Sequence, residues 1–317
     1  MLDPRGLYEI DTEVEARLGV RDADVRSDTP ATGPVLINAL RGFVDAGSAG
    51  TIAVEHLLGL GETTRLVTFD ADQLVDYRSK RPTMTFDTNA WVEYEAPTIA
   101  IDLAHDAEQT PFLVLHGTEP DLQWERFVAA VIDLVDRFDV SMTIGMYGIP
   151  MGVPHTRDLS VTPHASRDEL IANASSWFGR VAVPATVANL LEFRLGERGH
   201  DSLGYAVHVP HYLAQSSYPP AAIIALTKVE ATTGLDLRVT DLEEAAEEAR
   251  EEVARQVEQS PEVAEVVRGL EEQYDAFTRA AERQSLLADS APIPTADEIG
   301  AEFERFLAQQ SPDSPSA

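Results

Sequence analysis

The sequence contains no cysteine. That excludes disulfides, thiolate zinc sites and a cysteine nucleophile, and it leaves a reducing compartment open to the protein. No apolar run approaches the roughly 18 residues that a membrane span needs. The first residues, Met1-Leu2-Asp3-Pro4-Arg5, lack the basic-then-apolar design of a secretory leader. The expectation is therefore a cytoplasmic protein without membrane contact. Positive charge is scarce: 24 Lys and Arg stand against 54 Asp and Glu, a net charge of -30. Nucleic-acid binders draw much of their affinity from Lys and Arg clusters that release counterions from phosphates. No such cluster is present, so nucleic acid is not an expected partner. The acidity reads as solubility, with an acidic docking surface as the alternative.

What the sequence does have is length and apolar content enough for a core. Its 317 residues, 44% apolar, make one large domain or one domain with an appendage. In Val35 to Gly50 an apolar run of strand length feeds through small residues and one carboxylate into Thr51 to Leu58, which takes up a helical period. In open α/β sheets such a strand–turn–helix opens at the carboxyl end of the strand, where backbone N–H groups and the helix dipole can meet a ligand. Further strands are expected at 65–70, 98–103, 112–117, 141–149 and 203–209, with helices at 122–135, 185–194 and 219–233. Asp121 is the expected cap of the 122–135 helix, and Ser166-Arg167-Asp168-Glu169 reads as a capping box opening a short one. Alternating strands and helices predict a mostly parallel sheet covered on both faces.

Two stretches depart from that alternation. Residues 83–86 and 90–94, joined by Asp87-Thr88-Asn89, read as a hairpin with alternation on both arms. A projecting two-stranded ribbon is only marginally stable in water, so it is expected to pack on a neighbouring subunit; a pair of edge strands on the main sheet is the alternative. From Thr240 the composition shifts, with twelve acidic against three basic residues between Asp241 and Glu272. Thr240-Asp241-Leu242-Glu243 reads as a capping box, and Leu242, Ala245, Ala249, Val253 and Val257 mark one apolar stripe. Ser260-Pro261 restarts a helix carrying Val263, Val266, Val267, Leu270, Tyr274 and Phe277. These stripes must bury against something, and the α/β body is nearest. Thr295 caps a last expected helix, and Ser311 to Ala317, rich in Ser and Pro, is expected to be disordered.

The turn after the first strand departs from three known signatures. Gly42-x4-Gly47-Ser48 has the glycine spacing of a P-loop but lacks its Lys-Ser/Thr. Only Gly47-x-x-Gly50 remains of a Rossmann fingerprint. Ala46-Gly47-Ser48-Ala49-Gly50 resembles a loosened nucleophile elbow around Ser48, and close packing of small residues on a strand explains it equally well. Asp45 and Glu119 each follow a strand and could share a rim; helix capping for Asp45 and a plain surface loop for Glu119 are the alternatives. In Val153-Pro154-His155-Thr156-Arg157-Asp158, His155 can act as acid or base and Arg157 can hold an anion, or both can pin the loop. His208 and His211 lack the further ligands a metal needs, so no metal is expected, nor any cofactor.

Taken in order, Asp45-Ala46-Gly47 after an apolar strand, Glu119-Pro120-Asp121-Leu122-x-Trp124, Val153-Pro154-His155-Thr156-Arg157 and Val209-Pro210-His211-Tyr212 resemble the PAC2 family, the proteasome assembly chaperone relatives common in actinobacteria. The similarity runs over about residues 30 to 240 and into the helical region beyond. It implies a three-layer α/β/α sandwich, phosphorylase/hydrolase-like, with an inserted β-hairpin, a homotrimer built partly through that hairpin, and C-terminal helices lying as a lid over a pocket. The expected division is a body of residues 1–239 with its insertion at about 76–96, a helical lid at 240–310, and a tail at 311–317. That tail departs from the hydrophobic-Tyr-x ending through which such chaperones dock.

The leading expectation is a non-catalytic binding or assembly-chaperone-like protein, with ligand or partner contacts at a strand-end rim of Asp45, Gly47, Glu119, His155, Arg157 and His211. The alternative is a hydrolase or nucleoside-phosphorylase-like enzyme at the same rim. There Asp45 or Glu119 would serve as acid/base, Arg157 as anion holder and Ser48 as nucleophile.

Overall fold

The computed structural model describes residues 2–18, 33–171 and 179–286, the last turns of the final helix as backbone only. Eight strands form one sheet, in spatial order β1 (Tyr8–Ile10), β3 (Thr64–Phe69), β6 (Ile99–His105), β7 (Pro111–Thr118), β2 (Val35–Arg41), β8 (Met142–Met151), β10 (Ser202–Pro210) and β9 (Val161–Ala165). The inner four, β7, β2, β8 and β10, are parallel: Leu36 lies between Leu113 and Thr143, and Tyr205 lies beside Met146. The flanking pairs are antiparallel, so the sheet is mixed rather than mostly parallel. The physical reason is loop length. A parallel return needs a crossover of a dozen or more residues, whereas β6 and β7 are joined by five, turned by the Asp106 N–H donating to the Thr110 carbonyl.

Helices cover both faces, giving three layers. On one face α2 (Ala49–Gly59) and α6 (Pro219–Thr233) pack through Ala53, Leu57, Ala222 and Leu226 onto Ile37, Ile144 and Val207. On the other, α4 (Trp124–Arg137) and α5 (Val187–Glu197) pack through Phe127, Val131 and Leu191 onto Leu36, Ile101 and Leu113. Alternate residues of β2 serve the two cores, as period-two strands must. Asn38 faces the α4/α5 side, a polar residue between Leu36 and Leu40. Two short helices, α1 (Thr12–Arg17) and α3 (Ala71–Leu74), are capped by Asp11 and Asp70.

Three expected caps are not made. Asp121 instead accepts from the Asp76 N–H (2.9 Å) and pairs with Lys80 (2.9 Å), tying down the base of the hairpin, while α4 starts after Gln123 in a left-handed conformation. The Ser166 hydroxyl donates to the His200 carbonyl (3.0 Å) and accepts from the Ser202 N–H (3.0 Å), so only a 3-10 turn, Asp168–Ile171, follows it. Val239–Leu242 is a 3-10 turn too, and α7 (Glu243–Gln259) begins without a side-chain cap. The buried alanine of α7 is Ala246 while Ala245 is exposed, so its stripe runs Leu242, Ala246, Ala249, Val253, Val257 onto α6. Ser260 turns the chain into α8 (Pro261–Leu286). The hairpin, β4 (Met84–Asp87) with β5 (Ala90–Tyr94), forms its own two-stranded sheet. The helix expected from Thr295 and the tail at 311–317 lie outside the described residues. Among the described residues no helix is long and apolar enough to cross a membrane.

Candidate functional site

The carboxyl ends of the parallel strands receive most of the residues singled out in the sequence. After β2 the chain turns through Ala46–Ser48, where Gly47 takes φ +67 and Ser48 φ 54. Asp45 is held there by four donors. The N–H groups of Gly50 (2.8 Å) and Gly148 (3.3 Å) reach Oδ1, and the Thr51 N–H (3.0 Å) and hydroxyl (2.9 Å) reach Oδ2. The carboxylate thus satisfies orphan donors at the start of α2 and staples that start to β8. The small residues are there for contact: a Cβ on Gly148 would stand 2.0 Å from the Ala46 carbonyl oxygen. Gly47 donates its N–H to Ala214 O (3.0 Å) and accepts from the Tyr218 N–H (2.9 Å), joining the turn to the approach of α6. Among the described residues no imidazole or carboxylate is hydrogen-bonded to the Ser48 hydroxyl.

Glu119, beyond the end of β7, sits on the α5 side. It is 8% exposed and accepts the Val187 N–H at the start of α5 (2.7 Å) and the Phe43 N–H (3.2 Å). Lys80, from the hairpin's base, donates to its carbonyl (2.7 Å). Glu119 therefore joins three segments, and it makes no contact with Asp45.

His155, Arg157 and His211 lie near one another. The His155 N–H donates to the Tyr212 hydroxyl (2.9 Å), which is also hydrogen-bonded to the ring Nδ1 (2.7 Å). Burial pushes the His155 pKa below its ordinary value, opposed by Glu271, and burial raises the Tyr212 phenol to about 12. Exposed His211 sets its ring edge-to-face on Tyr212, with centroids 5.4 Å apart. The Arg157 fork is spent on α8: Nε and Nη2 each donate to Asp275 (both 2.9 Å), and Nη1 reaches Glu271 (3.3 Å). The Asp275 carboxylate raises the guanidinium pKa further and has its own lowered in return. The Thr156 hydroxyl donates to Glu271, and the Tyr274 hydroxyl donates to the Asp158 carbonyl (3.2 Å). The loop after β8 is thus bound by this chain's own acidic helix.

The model of the PAC2 family matches residues 39–257. The chain belongs to the PAC2 family. It is similar to Rv2714 of Mycobacterium tuberculosis, a protein of unknown function, at 43% identity over 97% of each chain with a TM-score of 0.80. A PAC2 chain so folded is also similar to a protein of unknown function from Corynebacterium glutamicum, at 36% identity over 85% of this chain and 97% of that one, TM-score 0.75. Rv2125 of Mycobacterium tuberculosis, a proteasome-assembly chaperone homologue, shares the fold at 24% identity over 74% of this chain and 99% of its own, TM-score 0.68. No curated protein matches the chain.

This PAC2 chain also holds a polar group that the sequence reading passed over. Between α5 and the sheet, Glu192 is bonded to His164 Nδ1 (2.9 Å), and His164 Nε2 meets the Tyr147 hydroxyl (3.1 Å). Burial raises the Tyr147 pKa; the bond from Asn189 opposes that and Glu192 adds to it. Asn38 stands next to them, 5% exposed. The available signal was Asn38 itself, an amide in the middle of an apolar strand.

Proposed function

We propose that this PAC2 protein is a non-catalytic, assembly-chaperone-like protein that works in the cytoplasm as a homotrimer. Its hairpin insertion at 76–96 is the self-contact, and proteasome subunits are the partner class. The observation that carries this reading is the hairpin. Met84, Phe86, Trp91, Val92 and Tyr94 are 47% to 65% exposed, on a ribbon tied to the body at its base. Apolar side chains gathered on a projecting element mark a protein contact. The partner class follows from family membership and from the proteasome-assembly homologue that shares the fold.

Within this reading the body through residue 239 and the helices from 240 are separate working parts, the latter a lid. Asp45, Gly47, Glu119, His155 and Arg157 frame the carboxyl edge, leaving contact with a partner or ligand to exposed His211 and the outer face of α8. No observation favours hydrolase or phosphorylase chemistry there, because the carboxylates and the guanidinium that such chemistry would use already have partners. The test is assembly of purified actinobacterial proteasome α and β subunits with and without the full chain, followed by native electrophoresis. The expected result is faster appearance of half-proteasomes. An unchanged time course, or the same acceleration from an unrelated acidic protein, overturns the proposal.

A further inference from the structure

Every residue of the ribbon's two strands is exposed, from Met84 to Asp87 and from Ala90 to Tyr94, so its apolar side chains are not seated on their own chain. A smaller set of exposed apolar residues stands on the body, at the carboxyl edge of the sheet. Phe43 is 70% exposed, Val183 66% and Leu122 49%. Glu119 gathers their segments. Its carboxylate accepts the N–H of Phe43 and that of Val187, four residues after Val183, and Leu122 follows it by three positions. The root of the ribbon reaches the same place, since Lys80 donates to the Glu119 carbonyl (2.7 Å) and pairs with Asp121 (2.9 Å). Ribbon and patch therefore adjoin at one edge, and the ribbon leaves its own patch uncovered.

Charge is the second, independent observation. Between Thr83 and Ala96 the ribbon carries Asp87, Glu93 and Glu95 and no Lys or Arg. The patch is bordered by the opposite sign. Arg41 precedes Phe43 by two residues, Arg180 precedes Val183 by three, and Arg78 and Arg81 flank Lys80 at the root. All four arginines are exposed, and among the described residues none of them is in an ion pair. In a chain of net charge -30, four uncommitted arginines at one edge are a local excess. An acidic, apolar ribbon complements that surface. A second ribbon does not complement the first, because Asp87, Glu93 and Glu95 would meet the same three carboxylates across the contact.

We propose that the ribbon of one copy lies on the patch of Phe43, Leu122 and Val183 of the next, with its carboxylates against Arg41 and Arg180. The inference rests on the reading of the ribbon as a self-contact and adds where the ribbon is seated. The contact is head-to-tail, and such contacts form a ring when the rotation closes and a filament when it does not. Here the two surfaces lie side by side, so each copy turns sharply relative to the last. A small ring closes, as three copies require.

Because the chain has no cysteine, introduced thiols report the contact without background. Val92→Cys and Val183→Cys replace exposed residues, as does the control Glu248→Cys on α7. Full-length Val92→Cys and ¹⁵N-labelled Val183→Cys chains are mixed, left to exchange, treated with a short bis-maleimide and resolved on denaturing gels. The expected product is a linked pair with one chain of each kind, identified by mass spectrometry. Val92→Cys alone, or mixed with Glu248→Cys, should stay largely unlinked. In sedimentation, Arg41→Glu/Arg180→Glu should raise the dissociation constant at least about tenfold, and adding Asp87→Arg/Glu93→Arg to the same chain should restore association. Linking of Val92→Cys to itself, association without a link between positions 92 and 183, or charge reversal that changes nothing or is not restored by the swap overturns this seat. Those results leave self-association through the ribbon standing. A parent chain that stays monomeric overturns both.

Discussion

At the scale of single residues, the carboxyl edge separates groups that hold the fold from groups left to do something else. Asp45 belongs to the first kind, because four donors from three residues converge on it. Asp45→Ala should lower the unfolding free energy by about 3 kcal/mol, since buried N–H groups of Gly50, Thr51 and Gly148 lose their acceptor together. Denaturant unfolding at pH 7 measures this, and a loss below about 0.5 kcal/mol would mean that the carboxylate is free for another task. Its capping role could be read from the sequence, as a carboxylate between an apolar run and a helical period has few other local duties. The partner of Arg157 could not be read, because Asp275 lies 118 residues downstream and only the packing of α8 brings it near. Asn38 was visible as an amide among apolar neighbours, but the His164, Tyr147 and Glu192 groups beside it are brought there by three separate elements.

Among the elements, period-two and period-3.6 patterns located the strands and the main helices, and the body's alternation implied layers on both faces. What the patterns did not carry was direction and phase. The antiparallel flank follows from the brevity of the β6–β7 turn, and at one position of the α7 stripe Ala246 stands in for Ala245, because both suit a helix while only one can face α6. The α8 helix depends on a polar clasp as much as on burial, since Val267 is buried while Val263, Val266 and Phe277 stay largely exposed. Arg157→Ala removes the fork that meets Asp275 and Glu271. Hydrogen exchange should then quicken across residues 266–279 while β2, β8 and β10 keep their protection. Unchanged exchange in α8 would show that its apolar contacts suffice.

For the whole molecule, the body accounts for its own cores, and the apolar surface left over is concentrated on the hairpin. Phe86 and Trp91 pair edge-to-face across the ribbon with centroids 5.0 Å apart, yet both remain more than half exposed. That pairing gives the ribbon shape without giving it cover, and on the proposed reading the cover comes from another chain. Sedimentation velocity of the full chain across a hundredfold range of concentration, beside a Phe86→Ser/Trp91→Ser double variant, tests this most directly. Self-association through the ribbon predicts a species of three chain masses for the parent and a folded monomer for the variant. A parent that stays monomeric throughout, or a variant that assembles as the parent does, would contradict it.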